Sequence, residues 1–416
     1  MTDRRGMDPE ALACTACGET HPLDAFDRAC GACAEAGVTA NLGVVYDEAA
    51  PPRRDAIPAR PATLWRFADA LPLAAEDAVS LGEGMTPLVP VASPHCGALW
   101  VKDETRNPSW SFKDRLASVA VSWAKKIGAE VVATSSSGNA GAAAASYAAR
   151  AGLPCVVLTF RGAAGPMVEQ IRAAGAMVLE CAQKEDRWRI LSQAVKAFGW
   201  FPTSPFFGPA AGSNPIGIEG YKTLAYEIAE GLGWRTPDWC VLPVCYGDAL
   251  FGLWKGFDEM RRWGWTEGMP RLVAAEVSGS LAAGLAGGEP MPPAVAREAD
   301  SIAISIDIPR STAQALLALR RTDGLAVALD DAEIAAAQAA LARREGLFVE
   351  ASSAAAFAAI ERLGAAGAFG GDTVVAIATA SGLKDAGSSP AAPLPGAGAD
   401  LDGLRRALGE SYGFDV

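Results

Sequence analysis

The stretch NPSWSFKDR, residues 107–115, places a lysine inside a polar turn and directly before a helical pattern. The segment ALWVKDE before it is typical of a strand, and FKDRLASVAVSWAKKIG after it repeats apolar residues at helical spacing. The start of a helix disfavours an ammonium ion, because the positive end of the helix dipole lies there. Lys113 is therefore a candidate reactive amine, and the alternative is an ordinary solvated charge.

Outward from this turn, strand and helix patterns alternate. The strand patterns EVVATSS, PCVVLTF and AMVLECA are separated by helical ones such as GNAGAAAASYAARAG, which ends at Gly152. A second series contains the strands DWCVLPV, RLVAAEV and DTVVAIATA. This alternation predicts an α/β fold with parallel sheets and helices on both faces.

Composition and charge exclude several classes of protein. The chain has 416 residues and a net charge of −12 without a basic tract, so we expect no nucleic-acid partner. No apolar run of about 18 residues predicts a membrane span, so we expect no membrane partner. The start MTDRRGMDPE lacks the apolar core of a secretory signal, and five cysteines are scattered. These features predict a cytoplasmic protein.

The segment CTACGETHPLDAFDRACGAC contains two C-x-x-C pairs, Cys14 with Cys17 and Cys30 with Cys33. This spacing predicts a tetrahedral zinc site with four thiolate ligands. His21 is a possible substitute ligand, and a set of free or redox thiols is the alternative. Four protein ligands leave no open position, so the zinc would be structural and could supply the folding energy of a short segment.

Three further polar turns follow predicted strands: SSSGNAG at 135–141, CYGDAL at 245–250 and TASGLKD at 379–385. In open parallel sheets, ligands bind beyond the carboxyl ends of the strands. We therefore expect these turns and the lysine turn to line one cleft.

These four segments, in this order, resemble the fold-type II pyridoxal-phosphate enzymes, and within that group the threonine synthases. LGEGMTPLVP at 81–90, NPIGIEGYKTLAYEI at 214–228 and the cysteine-rich start add to the resemblance, which covers residues 14–385. It implies a tryptophan synthase β-like fold: two open parallel-sheet domains preceded by a zinc ribbon. It also implies a homodimer.

The domain boundaries that we expect follow from this resemblance and from a proline- and alanine-rich linker at 47–62. They are a zinc-ribbon module at 1–46, a linker and N-terminal part of the enzyme body at 47–97, a small α/β domain interleaved with the large one at 98–212, a large α/β domain at 213–390, and a C-terminal tail at 391–416.

The resemblance implies that Lys113 holds pyridoxal 5'-phosphate as a Schiff base. The amide of Asn139 would face the ring oxygen of the cofactor, and the hydroxyl of Thr379 would face its pyridine nitrogen. The remaining cofactor-binding residues would be Phe112 and a loop that holds the phosphate, namely Cys245, Tyr246, Gly247, Asp248 and Ala249.

By the same resemblance, a loop at the start of the next helix would bind the substrate carboxylate, and its members are Ser136, Ser137, Gly138 and Ala140. A helix N-terminus suits an anion. Ser137 or Asn139 could instead simply cap that helix, and both interpretations can hold at once.

Several positions depart from the family pattern, and three of them bear most on the cofactor and the substrate. Asp248 brings a carboxylate close to the cofactor phosphate, and we expect its side chain to turn away and cap the following helix. Gly217 stands where an arginine usually binds the substrate phosphate, and a guanidinium is hard to replace there. Trp110 is a substrate-site candidate that stands where glycine is usual beside the lysine, so its indole would fill space or cover the site.

Two enzymatic functions remain. The first is a threonine-synthase-type lyase that converts O-phospho-L-homoserine and water to L-threonine and phosphate, with Lys113 as acid and base. The second is β-elimination or β-replacement on another small amino acid, in the manner of an ammonia-lyase. A non-enzymatic scaffold that has lost the cofactor is a third possibility.

Overall fold

The computed structural model describes residues 7–47, 51–163, 165–206, 210–385, 394–397 and 400–414. The chain divides into two units, Met1–Asp385 and Ala386–Val416. Among the described residues, no helix combines the length and the apolar character that crossing a bilayer requires.

The first unit begins with a small antiparallel module. Its elements are β1 (Pro9–Cys14), β2 (Thr20–His21), α1 (Gly31–Glu35) and β3 (Leu42–Tyr46). The strands pair in the order β2-β1-β3. The turn after β1 and the start of α1 each carry one of the C-x-x-C pairs, so local structure brings the two pairs to one end of the module.

The rest of this unit alternates strands and helices, as the sequence predicts. Its first part contains β4 (Leu88–Val91), β5 (Ala98–Asp103), α2 (Lys113–Lys126), β6 (Val132–Thr134), α3 (Asn139–Ala151), β7 (Cys155–Phe160), α4 (Pro166–Ala173), β8 (Met177–Cys181), α5 (Asp186–Phe198) and β9 (Phe201–Pro202). Its second part contains α6 (Pro215–Ile218), α7 (Lys222–Gly231), β10 (Trp239–Pro243), α8 (Asp248–Arg262), β11 (Arg271–Glu276), α9 (Ser280–Gly287), α10 (Ala313–Arg321), β12 (Leu325–Ala328), α11 (Asp331–Glu345), α12 (Ala351–Ala365) and β13 (Thr373–Ala378).

These strands form two separate sheets. The larger has the order β12-β11-β10-β13-β5-β4 and is parallel except for β4, which runs antiparallel to β5. The smaller has the order β8-β7-β6-β9 and is parallel throughout. Helix α2 leads the chain from β5 of the larger sheet to β6 of the smaller one. The lysine turn therefore lies where the chain passes between the sheets.

Small residues allow the helices to pack closely around the larger sheet. In α8, a β-carbon added at Gly252 would lie 2.6 Å from Cβ of Tyr221, and one added at Gly256 would lie 2.6 Å from the carbonyl oxygen of Lys222. Both distances are far below van der Waals contact. Glycine at these two positions is thus required by the approach of α8 to α7 and the turn before it.

A buried ionic network supports the elements beneath the lysine turn. Arg115 of α2 donates to Glu104 at 2.7 Å and to Glu227 of α7 at 2.6 Å. Lys102 of β5 donates to the other oxygen of Glu227 at 2.5 Å. All four side chains are almost completely buried, and their charges balance, so removal of one would leave an unpaired charge at a cost of about 3–5 kcal/mol. The network fixes α2 against β5 and α7.

The second unit contains one described helix, α13 (Leu401–Tyr412). The carboxylate of Asp400 accepts a hydrogen bond of 2.7 Å from the N–H of Gly403 and caps the N-terminus. Gly413 ends the helix in the left-handed conformation, with φ of 61°.

Candidate active site

Lys113 is the first residue of α2, as the sequence predicts. The N–H of Phe112 donates 2.8 Å to the carbonyl of Thr379, which joins the lysine turn to the end of β13. The Lys113 Nζ lies 4.5 Å from the centre of the Phe112 ring and 5.8 Å from that of Tyr221. It has no hydrogen bond or ion pair with any residue that the structure describes. The amine is thus half-buried, next to two aromatic rings and available for chemistry.

Asp114 shapes the turn that presents Lys113. One of its oxygens accepts a bond of 2.6 Å from the N–H of Ser109, and the other accepts from the Ser109 hydroxyl. The ammonium of Lys384 donates 2.6 Å to the carbonyl of Ser109. Burial raises the pKa of the Asp114 carboxyl to about 7, and the two bonds from Ser109 oppose that rise. Asp114 and Lys384 therefore hold the turn from its two sides.

Trp110 adopts a left-handed backbone conformation, with φ of 64°. Its N–H donates 2.7 Å to Asn107, and its carbonyl accepts 3.1 Å from Ser381. Left-handed backbone is unfavourable for residues with a β-carbon, which explains why glycine suits this position. The side chain is 52% exposed. The indole therefore stands at the edge of the lysine turn and does not fill the core.

Asn139 is the first residue of α3, and its amide faces a buried glutamate. Asn139 Nδ2 donates 2.9 Å to Glu350, whereas its Oδ1 is buried without a partner among the described residues. Burial raises the pKa of the Glu350 carboxyl to about 7, against the lowering effects of Asn139, Lys384 and Lys113. Sequence reasoning missed Glu350. Its only signal was a carboxylate directly before an alanine-rich helix.

The predicted carboxylate loop lies at the N-terminus of α3. Gly138 occupies the N-cap position, and no side chain caps the helix, so neither Ser137 nor Asn139 is a cap. Ser136 Oγ accepts a bond of 3.3 Å from the Gly138 N–H. A β-carbon at Gly141 would lie 1.8 Å from the Ser136 carbonyl oxygen, so only glycine permits this turn. The loop residues Ser136, Ser137, Gly138 and Ala140 are half-buried at the helix N-terminus.

The predicted phosphate loop, Cys245 to Ala249, turns into the start of α8 at Asp248. Gly247 has φ of 75°, and a β-carbon there would lie 2.3 Å from Cβ of Ala315. The first N–H groups of a helix have no acceptor within it, so this loop offers donors to an anion. Glycine is required at this position for both its backbone angle and the close approach of α10.

The side chain of Asp248 turns away from the loop, but it does not cap α8 as expected. Its carboxylate accepts bonds of 3.0 and 2.6 Å from the N–H and hydroxyl of Ser213, and one of 2.6 Å from Gln314 Nε2. Three donors thus stabilise the negative charge inside the protein. The carboxylate is therefore used to position the loop.

The start of α10 and the two residues before it bind the carbonyls of the phosphate loop. Ser311 Oγ donates 2.6 Å to the carbonyl of Cys245, and Thr312 Oγ1 donates 2.6 Å to that of Tyr246. Gln314 Nε2 lies 3.3 Å from the same Tyr246 carbonyl. These residues were not predicted, because in the sequence STAQA resembles only a helix start. They fix which way the peptide groups of the loop point.

Thr379 directly follows β13 and is buried. Its hydroxyl is 2.6 Å from the hydroxyl of Ser353 in α12, and Ser353 also accepts 2.9 Å from the N–H of Ala380. Ser353 was not predicted, because its sequence context is only an alanine-rich helix. The pair orients the Thr379 hydroxyl at the same strand end that contacts Phe112.

Gly217 packs against α2. It is buried in α6, and a β-carbon there would lie 2.9 Å from Cβ of Ala120 and 3.0 Å from Cγ of Leu116, both in α2. A side chain at this position would point into helix packing. The interpretation that Gly217 marks a lost phosphate contact stays a prediction.

The four predicted zinc ligands come together, with all four sulfurs within 4.8 Å of one another. The sulfurs of Cys14 and Cys33 are 3.5 Å apart, and those of Cys17 and Cys30 are 3.7 Å apart. Thiolates about 2.3 Å from a tetrahedral zinc would be separated by about 3.8 Å, so the cluster has the right size. His21 instead groups with Glu19 and Cys30.

Comparison with known proteins agrees with this geometry. The chain matches the family described as "Pyridoxal-phosphate dependent enzyme" over residues 79–380. The threonine synthase of Methanocaldococcus jannaschii is 31% identical over 397 residues, covering 89% of this chain and 92% of that protein. The threonine synthase of Methanosarcina acetivorans is 34% identical over 384 residues, covering 90% and 92%.

Among solved structures, the processed form of threonine deaminase isoform 2 from Solanum lycopersicum has a TM-score of 0.64 at 16% identity, covering 87% of this chain and 90% of that chain. This likeness shows a shared fold. The two parallel sheets and the lysine turn between them define the architecture of a fold-type II enzyme. The chain belongs to the family of pyridoxal-phosphate dependent enzymes.

The residues of the cleft fit that cofactor. Lys113 provides an amine without a partner, and Asn139 Oδ1 is a buried polar atom without one among the described residues. Gly247 and the start of α8 provide backbone donors beside a turn that a β-carbon would obstruct. The aldehyde, the ring oxygen and the phosphate of the cofactor therefore each have a chemically suitable partner, namely Lys113, Asn139 and the α8 loop.

Proposed function

We propose that the chain is a threonine synthase, a pyridoxal-phosphate dependent lyase that converts O-phospho-L-homoserine and water to L-threonine and phosphate. The observation that carries this proposal is that contacts at the end of β13 link the lysine turn, the α3 loop and the strand before the α8 loop. Phe112 donates to Thr379, and Glu350 contacts both Ala380 and Asn139. Strand β10, which precedes the α8 loop, pairs with β13. The threonine synthases described above are similar over nine-tenths of their length and support it.

The cofactor, when bound, withdraws electrons from the α-carbon of the substrate and so makes its proton acidic. Lys113 holds the cofactor in the resting enzyme. With the cofactor bound, the amine of Lys113 would remove the α-proton of the substrate and then move protons between neighbouring carbons. These proton transfers would allow phosphate to leave from the γ-carbon and water to add at the β-carbon, which gives threonine.

The α3 loop would bind the substrate carboxylate. Ser136 and Ser137 offer hydroxyl groups, and the helix N-terminus offers backbone N–H groups and a positive dipole end. Binding the carboxylate here holds the α-carbon at a fixed distance from Lys113, which lowers the entropic cost of proton transfer. Trp110, at the edge of the lysine turn, would cover the substrate from the solvent side.

The hydroxyl of Thr379 would donate to the pyridine nitrogen. A hydroxyl donates without protonating the ring, so electron withdrawal is weaker than with a carboxylate partner. Ser353 orients that hydroxyl at 2.6 Å. Weaker withdrawal favours elimination and replacement chemistry, in agreement with a lyase.

Three further assignments complete the proposal. Cys14, Cys17, Cys30 and Cys33 bind one structural zinc ion, supported by the distances between their sulfurs. The enzyme works as a cytoplasmic homodimer, on the strength of the family resemblance. Its body divides into a small domain at 98–212 and a large domain at 213–390.

A panel of substrates tests the reaction. Purified protein with cofactor is given O-phospho-L-homoserine, L-serine, L-threonine or diaminopropionate, and phosphate, threonine, ammonia and keto acid are measured. We expect phosphate and threonine in equal amounts from phosphohomoserine alone. Lys113→Ala should lose this activity and the visible absorbance band of the lysine-bound cofactor, whereas exposed Lys125→Ala should keep both. Keto acid and ammonia from another amino acid, without threonine formation, would refute the proposal.

β-Elimination on a smaller amino acid is the second candidate. Trp110 favours it, because its large side chain stands where the family usually has glycine. The same panel separates the two functions.

A further inference from the structure

Arg187 lies between the two anion-binding loops. Its Nη1 donates 3.0 Å to the carbonyl of Ser135, the residue directly before the α3 loop. The ring of the next residue, Trp188, packs edge-on against the ring of Tyr246 in the α8 loop, with centroids 6.3 Å apart. The first turn of α5 therefore contacts both loops, one in each half of the cleft.

Several other buried cations of the first unit have carboxylate partners. They are Lys102 and Arg115 with Glu227, and Lys222 and Lys255 with Glu219. Lys384 lies close to Asp114 and Glu350, which act on its charge.

Arg187 differs from these cations in its partners. It donates to the carbonyls of Lys184 and Ser135, and no carboxylate oxygen of a described residue lies within 4.0 Å of it. Burial lowers the pKa of its guanidinium, the sign of a cation held partly out of water without a full counter-charge. Its Nη2 has no hydrogen bond to the described residues. A half-buried guanidinium with an open edge is suited to an oxyanion.

We propose that Arg187 recognises the phosphate group of the substrate. Gly217 has no side chain to serve this role, and a β-carbon there would lie against Leu116 and Ala120 of α2. Arg187 instead approaches from the smaller sheet, beside the loop that binds the carboxylate. This inference rests on the proposed function, since it assigns the phosphate to O-phospho-L-homoserine.

A phosphate monoester reaches the cleft from two sources, the substrate and the cofactor. If Arg187 recognises the substrate, its loss should weaken binding of phosphohomoserine and leave cofactor binding intact. If it recognises the cofactor, its loss should weaken cofactor binding and leave binding of phosphohomoserine intact. The two are separable, because cofactor affinity is read from the visible absorbance band without any turnover.

The experiment uses full-length enzyme with Arg187→Ala, Arg187→Lys and the control Arg189→Ala. Arg189 lies on the same helix, is exposed, and pairs with Asp186 at 2.8 Å. Loss of one charge-assisted contact corresponds to a factor of roughly 10–100 in binding. We expect Arg187→Ala to raise KM for phosphohomoserine by this factor with a smaller change in kcat. Arg187→Lys should recover part of the loss, and Arg189→Ala should match the unsubstituted enzyme.

Binding of inorganic phosphate can be measured without any turnover. Calorimetry on the holoenzyme should show phosphate binding that Arg187→Ala weakens roughly as much as it raises KM. The assignment is overturned if Arg187→Ala binds phosphate as tightly as the unsubstituted enzyme, or if it loses affinity for the cofactor and not for phosphate. If phosphate binding depends on Arg187 while phosphohomoserine is not turned over, the anion site stands and the proposed function fails.

Discussion

Asn41 donates its side-chain amide to Gln314 at 3.0 Å, and Gln314 donates to the carboxylate of Asp248 at 2.6 Å. The same Asn41 amide donates to the carbonyl of Ser213 at 3.1 Å, and the N–H of Ser213 donates to Asp248. Asn41 belongs to the cysteine module, and Asp248 begins the helix whose N-terminus would hold the cofactor phosphate. The module is thus linked to that loop through buried hydrogen bonds.

Replacement of Asn41 by alanine should weaken cofactor binding. The substitution leaves the Gln314 oxygen buried without its donor, and an unsatisfied buried group costs about 1–3 kcal/mol. Part of this cost appears as disorder of the α8 loop, so we expect the dissociation constant of pyridoxal phosphate to rise at least roughly threefold. Titration followed by the visible absorbance band measures it. Thr20→Ala changes an exposed residue of the same module and is the control. If Asn41→Ala binds the cofactor as tightly as the unsubstituted protein, the link is contradicted.

Removal of zinc should act on the same loop. The N–H of Cys30 bonds to the carbonyl of Ala40 at 3.1 Å, directly before Asn41. A chelator should therefore lower the melting temperature by several degrees and weaken cofactor binding, because metal binding supplies folding energy to so small a module. Metal analysis before and after treatment should show the loss of one zinc per chain. In the Asn41→Ala variant, the chelator should lower cofactor affinity by a smaller factor than in the unsubstituted protein, because the link through Asn41 is already broken. If the chelator lowers cofactor affinity by the same factor in both proteins, zinc acts on the loop by another route.

Glu350 should make the stability of the cofactor-free protein depend on pH. The pKa of its carboxyl is about 7 in the folded state, above the ordinary value near 4.3, so the folded protein binds the proton more tightly. The stabilising effect of this proton is complete below about pH 4 and is lost as the pH rises through 7. The shift corresponds to a free energy on the order of 3 kcal/mol.

Glu350→Gln removes this titration and keeps the hydrogen-bond acceptor for Asn139. We expect the free energy of unfolding of the variant to fall roughly half as much between pH 5 and pH 8 as that of the unsubstituted protein, because the similar rise in the pKa of Asp114 remains. Urea denaturation at each pH measures it. A smaller slope should remain from Asp114, whose pKa is also about 7. Identical slopes in the two proteins would mean that Glu350 does not titrate in this range.

Much of the fold is predictable because its signals are local. Helical and strand periodicity predict the alternation of elements, and a polar turn before a helix predicts the position of Lys113. The two C-x-x-C pairs predict their own cluster, since each pair lies in one turn. The position of the four polar turns after predicted strands predicts that they line one cleft.

The rest depends on residues that are far apart in the sequence. Glu350 contacts Asn139 across 211 positions, and Asn41 contacts Gln314 across 273. The spacing of apolar residues along the chain does not predict such contacts. The helix cap expected of Asp248 was predicted wrongly, because a motif gives the position of a residue but not the partners that its side chain finds, here Ser213 and Gln314.

Trp110→Gly separates backbone strain from the effect of the indole. A residue with a β-carbon at φ of 64° costs about 1 kcal/mol relative to glycine, and the half-exposed indole contributes little burial. We therefore expect Trp110→Gly to raise the free energy of unfolding by roughly 1 kcal/mol. Trp110→Ala keeps the strained backbone and should not be stabilised. If the indole restricts entry of phosphohomoserine, both variants should show a higher kcat/KM than the unsubstituted enzyme. A stabilised Trp110→Gly with lower kcat/KM in both variants would instead show that the indole covers and helps to bind the substrate.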